Sequence, residues 1–451
     1  MKRSTRALRL LLPIFAAALL APMPGVAAAQ SNDWQDEPSG SSQGLIRDEI
    51  GDRASKDLRG FYRARDNEPL WIDDLGRPSG AATLLLLRLR SAEFDGLEPD
   101  ELDTDKLARL LDRARRGDEE DKARAEVALS EAFADYVRRM RAVKYEDMIY
   151  ENDVLRPSVP TIGAALEEAA RADSLEQYIA EMRWMHPLYA PMREAMSNPR
   201  FSETARQRIW RNLDRIRAIP AIPGGRHVLV DAASARLWMY EDGKPVDSMK
   251  VVVGKPDLQT PIMSGFIRHA ILNPYWNIPN DLVQTTIAPN VIERGLSYLK
   301  QGRYDVLADW REDAPLLDPK DIDWHAVREG KASVHVRQLP GGDNFMGKVK
   351  FEFPNPQGIY LHDTPDKHLM KLDERQLSSG CVRLEDAERM HRWLMGKPLP
   401  SKVTDPEQLV KLSEPVPIYI TYLTASPEGT AIAFRDDPYG LDDGVRLAAA
   451  D

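Results

Sequence analysis

Tyr360-Leu361-His362-Asp363-Thr364-Pro365 and Leu377-Ser378-Ser379-Gly380-Cys381-Val382-Arg383-Leu384-Glu385-Asp386 hold the chain's single cysteine and a histidine 19 residues before it. A turn of small residues precedes Cys381, and a helical stretch, residues 385–395, follows. Gly380 permits backbone angles and close approaches closed to other residues. Backbone N–H groups there, that of Cys381 included, can face a developing oxyanion. Ser378 and Ser379 read first as turn formers. A cysteine nucleophile needs a base, because little of a free thiol is ionised near neutrality. His362 ends an expected strand and enters a proline-containing loop, where a side chain can face a cleft. His368 reads as loop surface and His391 as part of the following helix. The eight histidines lack a compact ligand pattern, so neither a metal nor any other cofactor is expected.

Outward from this pair, composition narrows the classes. The chain has 451 residues, enough for two or three domains. Lys+Arg number 61 against 71 Asp+Glu, and a net charge of −10 argues against a nucleic-acid partner. One cysteine excludes an intrachain disulfide and any cysteine-built zinc or iron–sulfur site. Lys2, Arg3, Arg6 and Arg9 precede an apolar run over residues 10–21, shorter than the ~20 residues a membrane helix needs. Ala27 and Ala29 then fit a cleavage site before Gln30. Residues 1–29 therefore read as a signal peptide, whose loss takes the charge from −10 to −14. No cysteine stands there to carry a lipid. The expectation is an exported, periplasmic protein with no stable membrane span. In an oxidising compartment its thiol is either inert and buried or kept for reaction.

Periodicity then divides the chain. Residues 30–55 read as a flexible tether, rich in Ser, Gly, Asp and Gln at their start. Residues 56–220 show helical spacing over 81–94, 107–143, 162–171 and 203–219, with the doubly charged run 112–126 as a solvated face. Ile219-Pro220-Ala221-Ile222-Pro223-Gly224-Gly225 breaks the pattern. Period-two segments follow at 227–230, 236–240, 249–253, 266–272, 349–353, 359–361, 417–422 and 431–435, with a hairpin at Glu241-Asp242-Gly243-Lys244. Between about 288 and 336 the strands stop, which marks an insertion suited to a lid. The predicted architecture is multidomain α+β: a helical domain, then a mostly-β catalytic domain over residues 221–436 and a tail over 437–451.

The blocks His362-Asp363-Thr364-Pro365 and Ser378-Ser379-Gly380-Cys381-Val382-Arg383 resemble the active-site signature of L,D-transpeptidases with the YkuD catalytic domain. They are most similar to the large YcbB-like branch. Gln259-Thr260-Pro261, Asn273-Pro274-Tyr275-Trp276-Asn277-Ile278-Pro279, Arg337-Gln338-Leu339-Pro340-Gly341 and Tyr419-Ile420-Thr421-Tyr422-Leu423-Thr424-Ala425 agree with it. Upstream, Pro69-Leu70-Trp71 and Asp95-Gly96-Leu97-Glu98-Pro99 resemble that branch's helical scaffold. Two departures stand out. Ser379 occupies the place of the histidine in the Ser-His-Gly-Cys of smaller members, and the branch's usual peptidoglycan-binding module has no counterpart before the first strand.

The resemblance implies that Cys381 attacks a peptidoglycan tetrapeptide stem, releases D-alanine, and passes the acyl group to another stem in a 3→3 cross-link. His362 is the implied base. Gly380, Tyr360 and Asp363 are implied in oxyanion binding and in orienting the histidine, the last through its carbonyl or, alternatively, its carboxylate. Arg383, Ser379 and Trp276 are candidate substrate contacts, with an ion pair to Glu385 or Asp386 the competing role for Arg383 and packing that for Trp276. Carbapenems are the implied inhibitors. Transfer to water, as in a carboxypeptidase or endopeptidase, or to a protein or free D-amino acid, uses the same pair. A non-catalytic wall scaffold would not need it.

Overall fold

The computed structural model describes residues 42–142, 147–221, 225–311 and 313–442. The expected signal peptide lies outside the described residues. Where the tether was expected, Ser42–Arg53 forms a helix whose Ile46 and Ile50 are fully buried in the scaffold core. Those two isoleucines, four apart, share one helix face, and their polar neighbours hide the stripe. The tether expectation is corrected for this segment.

The scaffold is a helical layer started by side-chain caps. Ser79, Thr161 and Ser202 each accept a hydrogen bond from the backbone N–H three residues on. The charged stretch expected to run over 107–143 breaks at residues 115–118 into Thr104–Ala114 and Glu119–Ala142. At that break a side chain on Gly117 would collide with Asp121 and with the Arg113 carbonyl. Glu126 explains the Pro69-Leu70-Trp71 segment. Its buried carboxylate accepts from the N–H groups of Leu70, Trp71 and Ile72 at 2.7, 2.8 and 3.1 Å and from the Tyr62 hydroxyl at 2.8 Å. A buried acid is tolerable when its lone pairs are taken up in this way.

The catalytic domain is a closed barrel of eight strands: β1 (Arg226–Asp231), β2 (Arg236–Glu241), β3 (Lys244–Gly254), β4 (Met263–Leu272), β5 (Val349–Glu352), β6 (Leu361–His362), β7 (Val382–Leu384) and β8 (Gln408–Thr421). The order around it is β4-β8-β1-β2-β3-β7-β6-β5, and the antiparallel pairing of His269–Leu272 with Glu352–Val349 returns β5 to β4. Closure leaves no free sheet edge along this circuit. Most of β1 is buried on both faces: Val228 and Val230 point into the barrel, while Leu229 meets Leu155 and Ile219 of the helical layer. A scaffold segment, Ile149–Tyr150, also pairs in parallel with Met263–Ser264 of β4. The two domains thus share one sheet.

The tail expectation is corrected as well. The Tyr439 hydroxyl donates to the Gly254 carbonyl at 2.6 Å, and Arg215 binds Asp442 and the Leu441 carbonyl at 2.8 and 2.7 Å. Residues 437–442 belong to the catalytic body.

The inserted segment starts earlier than expected and carries strands of its own. Trp276–Ile278, His335–Gln338 and Tyr304–Leu307 form a three-stranded antiparallel sheet in that order. With short helices at Ala288–Arg294 and Trp324–Arg328 it encloses a separate apolar cluster that includes Ile278, Val291, Val306, Trp324 and Val336. The four-residue Tyr304–Leu307 strand is too short to stand out as an alternating pattern. Among the described residues no helix is long and apolar enough to cross a membrane.

At the domain boundary, His186 and His227 are fully buried, with their Nε2 atoms 3.4 Å apart and the His227 ring stacked on Tyr240. Burial holds both imidazoles below their usual pKa, His227 down to about 4. A depressed histidine contributes stability that is complete above its unfolded pKa and lost as pH falls toward its folded one. The loss therefore runs from the ordinary value of 6.5 down to about 4 for His227. A His227→Phe variant should show a stability-versus-pH slope shallower by up to about 1.4 kcal/mol per pH unit in that window. Denaturant midpoints across the window check it, and an unchanged slope would count against the buried neutral pair.

Candidate active site

Parallel pairing sets Leu361 beside Val382 and His362 beside Arg383. Side chains alternate along strands, so Leu361 and Val382 enter the barrel core while Tyr360, His362, Cys381 and Arg383 share the opposite face. All four line one pocket of about 70 Å³, together with Ser378 and Ser379. Trp276, Pro279 and Leu282 of the inserted segment, with Phe345 and Met346 after its last strand, complete the lining.

His362 is buried, and its Nδ1 lies 2.5 Å from the Asp363 carbonyl oxygen. A carbonyl only accepts, so Nδ1 carries the proton and Nε2 keeps a lone pair. Of the two orienting groups considered for Asp363, the carbonyl is the one in contact. The Asp363 carboxylate is engaged elsewhere, accepting from Lys367 Nζ at 2.7 Å and from the Lys348 N–H at 2.9 Å. Burial, and then the Arg383 guanidinium, push His362 down to about 3.

The half-buried Cys381 thiol donates to the Gly358 carbonyl at 3.7 Å. Burial pushes its pKa up. Hydrogen bonds from the Tyr360 backbone and hydroxyl, and the charges of Arg383 and Lys350, pull the other way. In the resting site Tyr360 thus bears on the sulfur, and it lines the same pocket. Among the described residues no hydrogen bond joins the thiol to His362. The resting pair is a neutral thiol beside a neutral imidazole.

The turn before Cys381 corrects the expectation for Gly380. Its φ of 111° lies in the region open to glycine, and its N–H donates to Ser378 Oγ at 3.2 Å. Ser378 Oγ in turn donates to the Cys381 carbonyl at 2.6 Å. Gly380 N–H is therefore committed to the turn, while the Cys381 N–H takes no partner among the described residues. The ion pair expected between Arg383 and Glu385 or Asp386 is corrected: Nη1 lies 3.6 Å from Asp366, whereas Glu385 accepts from the Lys250 N–H and Asp386 caps the helix Ala387–Met395. Arg383 Nε is buried with no hydrogen-bond partner. Ser379 is exposed at the pocket rim, and Trp276 packs on Phe345 with ring centroids 4.5 Å apart. His368 is exposed, and His391 lies on the helix after the turn with Nδ1 on the Lys397 carbonyl, away from the pocket.

Residues 225–418 match the model of the L,D-transpeptidase catalytic domain named YkuD, and residues 56–196 match that of the scaffold domain. The chain carries the catalytic domain of an L,D-transpeptidase. Over 407 residues it is 27% identical to a candidate L,D-transpeptidase of Haemophilus influenzae, covering 87% of this chain and 79% of the relative. Among solved structures it is similar to an L,D-transpeptidase from Mycobacterium smegmatis, at 15% identity and a TM-score of 0.21, over 44% of this chain and 59% of that one. It is also similar to the L,D-transpeptidase LdtMt1 in complex with imipenem, at 14% identity and a TM-score of 0.21, over 43% and 58%.

The L,D-transpeptidase pocket depends on residues whose role the sequence left unmarked. Thr260 is buried and stitches β3 to the turn: Oγ1 donates to the Gly380 carbonyl at 2.7 Å and accepts from the Gly254 N–H at 2.8 Å. Tyr439 holds Gly254 from the other side. A Thr-Pro pair after a strand was the visible signal for the first; nothing in the local sequence marks the second. Thr260→Val keeps the shape and orphans two buried backbone groups, so it should cost roughly 1–3 kcal/mol for each group left unpaired. An unchanged denaturation midpoint would show that the stitch carries no load.

Proposed function

We propose that this L,D-transpeptidase is an exported, periplasmic enzyme that forms 3→3 cross-links in peptidoglycan through a Cys381 thioester. The shared face of Tyr360, His362, Cys381 and Arg383, with the Nδ1 proton of His362 fixed on the Asp363 carbonyl, carries the reading. His362 Nε2 is then the basic nitrogen. As sulfur attacks the carbonyl of the third stem residue, the thiol proton passes to Nε2 and negative charge moves to the carbonyl oxygen. The unpaired Cys381 N–H is the donor for that oxygen on this reading, and such a donor contributes about 3–4 kcal/mol to the transition state. The Tyr360 contacts and the Arg383 charge favour negative sulfur during attack. Collapse expels D-alanine, protonated from His362, and leaves a thioester. The side-chain amine of a second stem attacks that thioester, and His362 again takes the proton.

Transfer outcompetes hydrolysis where water is excluded. At about 70 Å³ the pocket is well below the ~300–1,000 Å³ typical of sites that bury a ligand. On this reading the inserted segment opens to admit a stem and closes over the thioester. That lining of Trp276, Leu282, Phe345 and Met346 favours transfer over the carboxypeptidase reading. Incubation of the protein with purified tetrapeptide muropeptides, followed by mass spectrometry, tests the choice. The expected product is a 3→3-linked dimer with released D-alanine. Tripeptides alone would establish hydrolysis, and no change would sink both.

A further inference from the structure

The outer face of the lid sheet bears a strip of side chains that acyl transfer does not use. Asn277 and Asp305 both pair in register with Arg337, and alternation puts them opposite Ile278, Val306 and Val336, the lid's core. The Arg337 guanidinium lies 4.3 Å from the Tyr275 ring centroid and donates through Nε and Nη2 to one oxygen of Asp305. Further along, His335 is buried, with Nδ1 on the Asp309 carbonyl at 3.0 Å and Nε2 meeting the Asn277 amide at 3.1 Å. Trp310 lies flat on that imidazole, centroids 4.1 Å apart and planes at 14°, yet is 53% exposed. One indole face is covered and the other is bare.

Trp310 is an open aromatic platform at one end of a polar strip, and Tyr275, one ring face already met by Arg337, stands at the other, roughly 13 Å of strand away. Its charges are paired, Arg337 with Asp305 and Arg311 with Asp309. The strip therefore offers directional donors and acceptors without a net field, which suits neither a polyanion nor a charged membrane surface. It suits an uncharged chain of pyranose rings, whose C–H faces stack on aromatic rings while hydroxyl and N-acetyl groups meet Asn277, Asp305 and Arg337. Tyr275 precedes Trp276, whose side chain turns to the other face and lines the Cys381 pocket, so the strip and the cleft lie on opposite faces of one thin sheet.

We propose that this face binds the N-acetylated glycan strand of the wall. The proposal rests on the peptidoglycan reading above and extends it to the surface that holds the polymer. In the test, full-length Cys381→Ala protein, which cannot react, is titrated with glycan strands freed of stem peptides by an amidase. Binding is followed by calorimetry. Saturable binding is expected, weakened about tenfold or more by adding Trp310→Ala and kept within about threefold by Trp310→Tyr. Near-ultraviolet circular dichroism and the thermal midpoint establish that each variant is folded. No saturable binding by the parent, equal affinity in a folded Trp310→Ala protein, or binding only of stem-bearing strands overturns the proposal. Acylation of unmutated protein by a soluble tetrapeptide is measured in parallel. Its success with no glycan binding faults the strip alone, whereas its failure with glycan binding intact faults the transpeptidase mechanism alone.

Discussion

Cys381→Ala protein is expected to fold normally and to form no cross-link, release no D-alanine and hold no acyl group. The thiol is half-buried and its hydrogen bond to the Gly358 carbonyl is a long one, so truncation removes little packing. Changes of this kind usually stay within about 0.5 kcal/mol. The proposed catalysis has no such tolerance, because it binds the acyl group to that sulfur. Activity should fall to the uncatalysed background, as read by muropeptide analysis beside an unchanged melting curve. Residual turnover above that background would point to another nucleophile, with Ser379 at the pocket rim the first to examine.

His362→Gln is expected to slow acylation by about 10²–10⁴-fold, the usual worth of general-base help. The same residue makes a prediction about pH. Burial lowers His362 to about 3 and raises Cys381, so an ion pair is not the resting state. Alkylation of Cys381 by iodoacetamide should climb with pH through and beyond the ordinary thiol range, with no reactive plateau between about pH 4 and 8. A plateau there would mean a preformed thiolate–imidazolium pair and would overturn the neutral-pair mechanism. His391→Ala should leave acylation near its original rate, since its ring lies away from the pocket and bonds the Lys397 carbonyl.

The make-up of the candidate site was legible because it is written in residue types: one thiol, one histidine at a strand end, and a glycine in the turn that leads into the thiol. The expected barrel strands were legible wherever apolar residues alternate or run together, as in β1 through β4. The opening half of β8 was not, since Lys411 and Glu414 interrupt it while its backbone still pairs with β4. Closure of the barrel was also hidden, because it joins His269–Leu272 to Glu352–Val349 across the whole lid. Ser42–Arg53 escaped notice because two isoleucines suffice to seat a helix on an existing core. Partner choice was the least legible. Gly380 N–H turns to Ser378 and Arg383 turns to Asp366, and both outcomes depend on backbone direction rather than on residue type. Tyr439 reaches Gly254 from the far end of the chain, and no local pattern announces such a contact.

The central claim is that Cys381 is the acyl-accepting atom and His362 its base. Whole-protein mass spectrometry after exposure to a carbapenem tests it directly, because ring opening adds the entire drug to the nucleophile with no leaving group. One adduct per chain is expected, on the peptide that contains Cys381, absent from Cys381→Ala and formed about 10²-fold or more slowly in His362→Gln. A stoichiometric adduct on a serine or lysine, or no adduct on an intact and folded chain, would contradict it.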